Sequence, residues 1–203
     1  MGSAKMGSAQ STIIIGAKSM KITKEKAAEN REMILTQAAR LFRERGVSGV
    51  GVDALTEAAG LTHGSLYSQF GSKDKMLAES LSHGYARIRS RASGLKTVPD
   101  AISGYVSAGH RDNPGSGCFM ATLGCEMPRQ SEEVRHTFTE IVRANMGWLA
   151  ALLPGRRKRQ REDEVLAILA AMVGAIVLAR AVDDVEFSDR ILSVSRARLL
   201  QER

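Results

Sequence analysis

Apolar positions recur along this chain at intervals of three and four, and no stretch alternates long enough to make a strand. Ile34, Leu35, Ala38, Leu41 and Phe42 form one stripe, and Gly46 after Arg43-Glu44-Arg45 supplies a stop, so the pattern predicts a first amphipathic helix. Val52, Leu55, Ala58 and Ala59 make a second, shorter apolar face that ends at Gly60. Thr62 can cap a third helix, in which Leu66 and Phe70 stand four apart and face a core. Gly71 stops that helix and Ser72 can cap a fourth, whose apolar pattern begins with Met76, Leu77 and Leu81. Two short helices across a turn of about two residues predict a helix-turn-helix, which needs the first and fourth helices to fold.

The fourth helix is expected from Lys73 to about Ala92, and Thr97 with Pro99 in a first turn opens another. Arg111 to Gly117 reads as a loop and Cys118 to Glu126 as a short segment. Ser131, Glu133 and Val134 begin a helix that runs past Phe138, Ile141 and Met146 to Leu153, where Pro154-Gly155 stops it. Val165 to Ala179 is apolar on every face but shorter than the ~20 residues of a membrane span, so no membrane partner is expected. Its small residues Ala167, Ala171, Gly174 and Ala175 permit a close helix approach, and Phe187, Ile191, Val194 and Leu199 give the last helix its own stripe. Two readings stand open for this pair: a subunit interface, or a core within one chain.

The third helix is chemically distinct. His63, Gly64, Ser65, Tyr67 and Ser68 fall away from its core face and present polar groups suited to a nucleic-acid groove. Lys73 stands where helix-start N–H groups and a positive side chain together suit a phosphate. Composition agrees: a net charge of +7 and a pI near 9.7 suit a polyanion. The 203 residues, 43% hydrophobic, can bury a core, and 4% aromatics argues against a stacking platform for RNA or single strands.

Ile34-Leu35 through Ala38-Ala39 and Leu41-Phe42, Gly46-Val47, Ala58 to Thr62, and Gly64 to Lys73 together resemble the DNA-binding domain of TetR-family regulators, over roughly residues 30 to 80. The resemblance implies an all-α protein with a three-helix helix-turn-helix DNA-binding domain at 23–72 and a helical effector-binding and dimerisation domain at 73–203; the Gly, Ser, Ala and Lys of residues 1–22 predict a disordered tail before them. It implies a cytoplasmic repressor that binds a palindromic double-stranded operator as a two-fold homodimer and is released by a small, largely apolar effector. The implied DNA contacts are Gly51, Thr62, His63, Gly64, Ser65, Tyr67, Gln69 and Lys73, with Tyr67 on the backbone or a thymine methyl and Lys73 on a phosphate. Two positions depart from the family pattern, which commonly has Thr or Ser where Gly51 stands and Lys or Arg where His63 stands. Gly51 can cap only through its backbone, and a histidine supplies less fixed positive charge than Lys or Arg.

Adaptable Met and aromatic side chains give the candidate effector lining as Phe119, Met120, Leu123, Met127, Phe138, Met146, Trp148 and Met172. Cys118 and Cys125, about two helical turns or ~10.5 Å apart, are too far for a disulfide within one helix and read as small buried hydrophobes. A redox or electrophile sensor, with Cys118 the more reactive, is the alternative, and a thiol enzyme a weaker one. No phosphate-cradling loop, metal-binding helix or nucleophile with its base is evident, so no catalytic residue, cofactor or metal is expected. His83, His110 and His136 read as surface or capping residues. The basic run Arg156 to Arg161, offset by Glu162, Asp163 and Glu164, reads as solvated, with non-specific DNA contact as its alternative. Met-Gly-Ser-Ala occurs at residues 1 and 6, Ile13 to Ile15 is too short for a signal peptide, Met6 breaks a myristoylation pattern, and Met20 is a possible natural start.

Overall fold

The Thr23 hydroxyl accepts the Lys26 amide and opens α1, Lys24–Arg45, whose buried stripe is the predicted one with Ala39 added. The computed structural model describes residues 23–153 and 158–201; these form ten α-helices and three short 3-10 turns, with no strand among the described residues. The predicted tail at 1–22, the stop at Pro154-Gly155, and Arg156 and Arg157 lie outside them.

The helix-turn-helix follows its punctuation. α2 (Val52–Ala59) starts at Gly51 with no side-chain cap, as expected for glycine there, and ends at Gly60 with φ 62° and ψ 35°. A side chain with a β-carbon in that left-handed geometry costs about 1–2 kcal/mol. Thr62 accepts the Ser65 amide at 3.2 Å to open α3 (His63–Phe70), and Ser72 accepts the Lys75 amide at 3.1 Å to open α4 (Lys73–Arg91).

α5 (Val98–Tyr105) is capped by Thr97, with Pro99 in its first turn. The loop predicted from Arg111 begins later, because Ser107 accepts the His110 amide and starts a short helix, α6 (Ala108–Asp112). After the 3-10 turn Pro114–Ser116 comes α7 (Phe119–Leu123), then α8 (Glu132–Ala151), α9 (Lys158–Ala181) and α10 (Val185–Gln201). α9 extends beyond the apolar run; its most apolar 18-residue window has a mean hydropathy of 2.1, so by length and composition alone it could cross a bilayer, a test that a core helix also passes. Here one side of α9 is packed, with Val165, Ile168, Met172 and Ile176 buried against α5, α7, α8 and α10.

One continuous core joins α1, α2 and α3 to Met76, Leu77 and Leu81 of α4, and then to Phe119, Leu123, Met127, Val134 and Ile141 beyond it. A boundary drawn after residue 72 therefore crosses packed side chains. Polar contacts reinforce the joint. The Glu126 carboxylate accepts the amides of Val47 (3.0 Å) and Ser48 (3.2 Å), and the Lys73 ammonium donates to the Val47 carbonyl at 2.8 Å. The α1–α2 turn is thus held from both sides. Glu126→Ala leaves those amides without their acceptor, at a cost of about 1–3 kcal/mol. Thermal melts are expected to drop roughly 2–4 °C per kcal/mol for a chain of this size, with Glu126→Gln intermediate.

Candidate nucleic-acid interface and ligand cavity

α3 buries only Leu66 and Phe70, the two positions predicted as core. Its remaining side chains form a polar, mostly exposed face. Tyr67 is 49% exposed and its hydroxyl makes no hydrogen bond among the described residues, so it is available to a partner. Gly64 is exposed, with no atom within 4 Å of where a β-carbon would stand. Gln69 donates to the Ser65 hydroxyl at 3.1 Å, and the Ser68 hydroxyl donates to the Ser65 carbonyl at 2.9 Å, which orients all three side chains beside Tyr67.

Two predicted contacts are differently engaged. His63 Nε2 lies 2.5 Å from Asp53 Oδ1 across the turn, so the imidazole faces a carboxylate of α2 rather than standing clear. Lys73 points back to Val47, so its ammonium is engaged within the chain and does not stand clear for the predicted phosphate. With His63 paired to an acid and Lys73 turned inward, the exposed face of α3 offers hydroxyls and an amide rather than fixed positive charge. Gly51 is exposed before α2, and Thr62 is exposed with its hydroxyl engaged in the cap.

A cavity of about 320 Å³ opens among α4, α5, α7, α8 and α9. Of the predicted lining residues, Phe119, Trp148 and Met172 border it. Leu123 and Met127 instead pack in the core shared with α1–α3, where Phe138 lies at the edge, while Met120 and Met146 pack against α9. Apolar identity alone did not separate cavity wall from core. The wall residues missing from the prediction include polar and aromatic ones, Tyr85, Arg89, Tyr105, His110 and Asn145, beside aliphatic ones such as Ile88, Leu95 and Ile141.

These polar residues are held firmly. The Arg89 guanidinium stacks 4.1 Å from the Trp148 ring centroid. The His110 ring meets Tyr105 edge to face at 4.3 Å; its Nδ1 donates to the Tyr105 carbonyl at 2.9 Å and its Nε2 accepts the Cys118 amide at 3.0 Å. Those two bonds fix a neutral imidazole, and burial pushes its pKa below the ordinary histidine value. His110 is therefore an interior residue rather than a surface one. His83 is half-buried too and pairs with the Thr36 hydroxyl at 2.8 Å, whereas His136 is exposed as expected.

Cys118 precedes α7 and Cys125 follows it, so they do not share one helix; both are free, with Cys125 exposed. Burial raises the Cys118 thiol, an effect partly offset by the Tyr105 hydroxyl beside it, so the expected greater reactivity of Cys118 does not match its surroundings. In α9, Arg159 and Gln160 of the basic run are exposed.

The cavity is joined to α1 through Phe119. Arg43 of α1 lies 4.4 Å from the Phe119 ring centroid and donates through Nε to the Gly115 carbonyl at 2.8 Å. Desolvation, with Arg91 and Arg87 nearby, lowers the Arg43 pKa to about 10, which leaves it charged at neutral pH.

Residues 34–80, which hold the C-terminal half of α1, all of α2 and α3 and the start of α4, match Bacterial regulatory proteins, tetR family. These residues carry the DNA-binding domain of the TetR family. The chain is 26% identical over 181 residues to the HTH-type transcriptional repressor DhaR of Mycobacterium sp. (strain GP1), covering 81% of this chain and 89% of that one. It is 27% identical over 139 residues to the transcriptional repressor NemR of Escherichia coli K12, covering 64% and 70%. The crystal structure of reduced E. coli NemR superposes with a TM-score of 0.68 over 84% of this chain and 95% of that one, at 23% identity, a likeness of fold. This TetR-family protein is a DNA-binding transcriptional regulator with an all-α fold.

Proposed function

We propose that this regulator is a repressor that binds a two-fold symmetric operator as a homodimer and is released by a small molecule entering the cavity beside Trp148. Residues 23–72 act as the DNA-binding unit, residues 73–203 bind effector and partner, and a chromosomal operator assigns the protein to the cytoplasm. Tyr67, Ser65, Gly64 and Gln69 meet the groove, while Gly51, Thr62, His63 and Lys73 flank them near the phosphates.

The observation that carries the regulatory reading is the double position of Phe119, which borders the cavity on one side and stacks on Arg43 of α1 on the other. A ligand pressing on Phe119, or on α4 through Tyr85 and Arg89, moves the supports of α3. A differential affinity of about 1–3 kcal/mol between the two arrangements changes DNA affinity roughly 5- to 150-fold. Dimerisation rests on the outer faces of α9 and α10, where Leu166, Leu178, Phe187 and Val194 are half-exposed or more. Ala167, Ala170 and Ala171 are exposed beside them and allow a second copy to approach closely.

Titrating an operator complex with candidate effectors, while following labelled DNA and Trp148 fluorescence together, tests the reading. Trp148 is the sole tryptophan, so a change in its emission reports the cavity. Release of DNA in step with that change supports the proposal; release with no change at Trp148 places the effector elsewhere.

A cysteine sensor is a second reading, favoured by one observation: Cys118 borders the same cavity. His110 does not serve as its base, since Nε2 already accepts the Cys118 amide. Under the main reading, Cys118→Ser is expected to keep its operator release within about twofold of the parent. Loss of release on that change alone would transfer the reading to thiol chemistry.

A further inference from the structure

We infer that the cavity beside Trp148 selects an anionic amphiphile: an apolar molecule bearing one carboxylate, bound between the Arg89 guanidinium and the Tyr105 hydroxyl. This inference rests on the cavity being the effector site. Its walls are largely apolar, with Ile88, Leu95, Phe119, Trp148 and Met172 among them, and no Asp or Glu lines it.

Against that background two donors stand out. Arg89 Nη1 is buried and makes no hydrogen bond among the described residues, and no carboxylate there forms an ion pair with this side chain. The Tyr105 hydroxyl is likewise buried and unsatisfied, and the polar group beside it is the Cys118 thiol, a weak partner. Burial holds the Tyr105 phenol well above its ordinary pKa, so it remains a proton donor.

Among the other polar groups, His110 and Asn145 are already engaged. Both His110 nitrogens are used, and Asn145 donates to the Ile141 carbonyl at 3.1 Å. A buried donor left unmade is costly, and a charged one more so. A carboxylate satisfies both at once, since it offers only acceptors and carries the charge that Arg89 lacks. A neutral carbonyl satisfies a donor but leaves the guanidinium uncompensated, and an ammonium group is repelled. The stacked Trp148 ring holds the Arg89 fork in place, so the anion meets a preset partner.

Matched pairs of near-equal shape test this on the full chain: decanoate against decanamide, and 2-naphthoate against 2-naphthamide. Binding is read by Trp148 fluorescence and operator release by labelled DNA. Each acid is expected to bind at least tenfold more tightly than its amide. Arg89→Gln should bring that ratio close to one, Arg89→Lys should keep part of it, and Tyr105→Phe should weaken the acids severalfold, with circular dichroism melts confirming that each variant folds. Amides binding as tightly as acids, a preference that survives Arg89→Gln, or no binding by any of the four compounds overturns the inference. Acid preference without operator release leaves the chemistry standing and overturns the effector-site reading instead.

Discussion

Gly64→Glu is expected to reduce operator affinity by about 10²- to 10³-fold while leaving the protein folded. Gly64 is the second residue of α3, is exposed, and has open space where a β-carbon would stand, so internal packing does not demand glycine there. Glycine within a helix costs roughly 0.5–1 kcal/mol against alanine. Under the proposed reading, glycine there permits close approach to the DNA surface. The glutamate adds length where the groove must fit and a negative charge opposite phosphates, a repulsion of several kcal/mol. Near the start of a helix the same carboxylate favours the fold. Thermal stability and DNA affinity therefore move apart, and Gly64→Ala should show the same division in milder form, melting slightly higher while binding less tightly. Parallel melts and operator titrations check both. A Gly64→Glu protein that binds as well as the parent would remove α3 from the interface.

Leu178→Asp is expected to convert the proposed dimer to a monomer and to lower operator affinity by about 10²- to 10⁴-fold, the advantage normally gained by linking two binding modules. Leu178 is 58% exposed on α9 and lies on the row that continues through Gly174 and Ala170 to Leu166. An apolar row of this kind on the outside of a chain asks for a partner. Because Leu178 belongs to none of the internal core clusters, an aspartate there leaves α9 packed on α5, α7, α8 and α10. Val194→Asp on α10, at a residue 60% exposed, is expected to act alike. Light scattering gives the mass and operator titration the affinity. A Leu178→Asp protein that remains dimeric would leave the chain-internal reading of this helix pair as the better one.

The helix-turn-helix was legible because its signals are local. Thr62, Gly60, Gly71 and Ser72 each act within four residues of their position, and the Leu66–Phe70 spacing needs only the helical repeat. α6 escaped detection because Ala108 to Asp112 is too short to show a period, although Ser107 three residues before His110 was a usable cap signal. The cavity was much less legible. Arg89, Tyr105, His110, Asn145 and Trp148 come from four helices, and no spacing along the chain marks them as neighbours. Leu123 and Met127 have the same apolar character as Phe119 and Met172, yet face the core shared with α1–α3. Lys73 illustrates the same limit, since its position suits a phosphate while its ammonium finds a carbonyl 26 residues earlier.

The most direct test of the central claim is selection of bound sequences from a random duplex pool at moderate salt, using the full chain. A two-fold symmetric site is expected, with half-sites whose centres lie about 34–36 Å apart or a multiple of that distance. Enrichment should fade when Tyr67→Ala or Gly64→Glu replaces the parent. A pool that stays random, or a site enriched equally by parent and variants, would contradict the account.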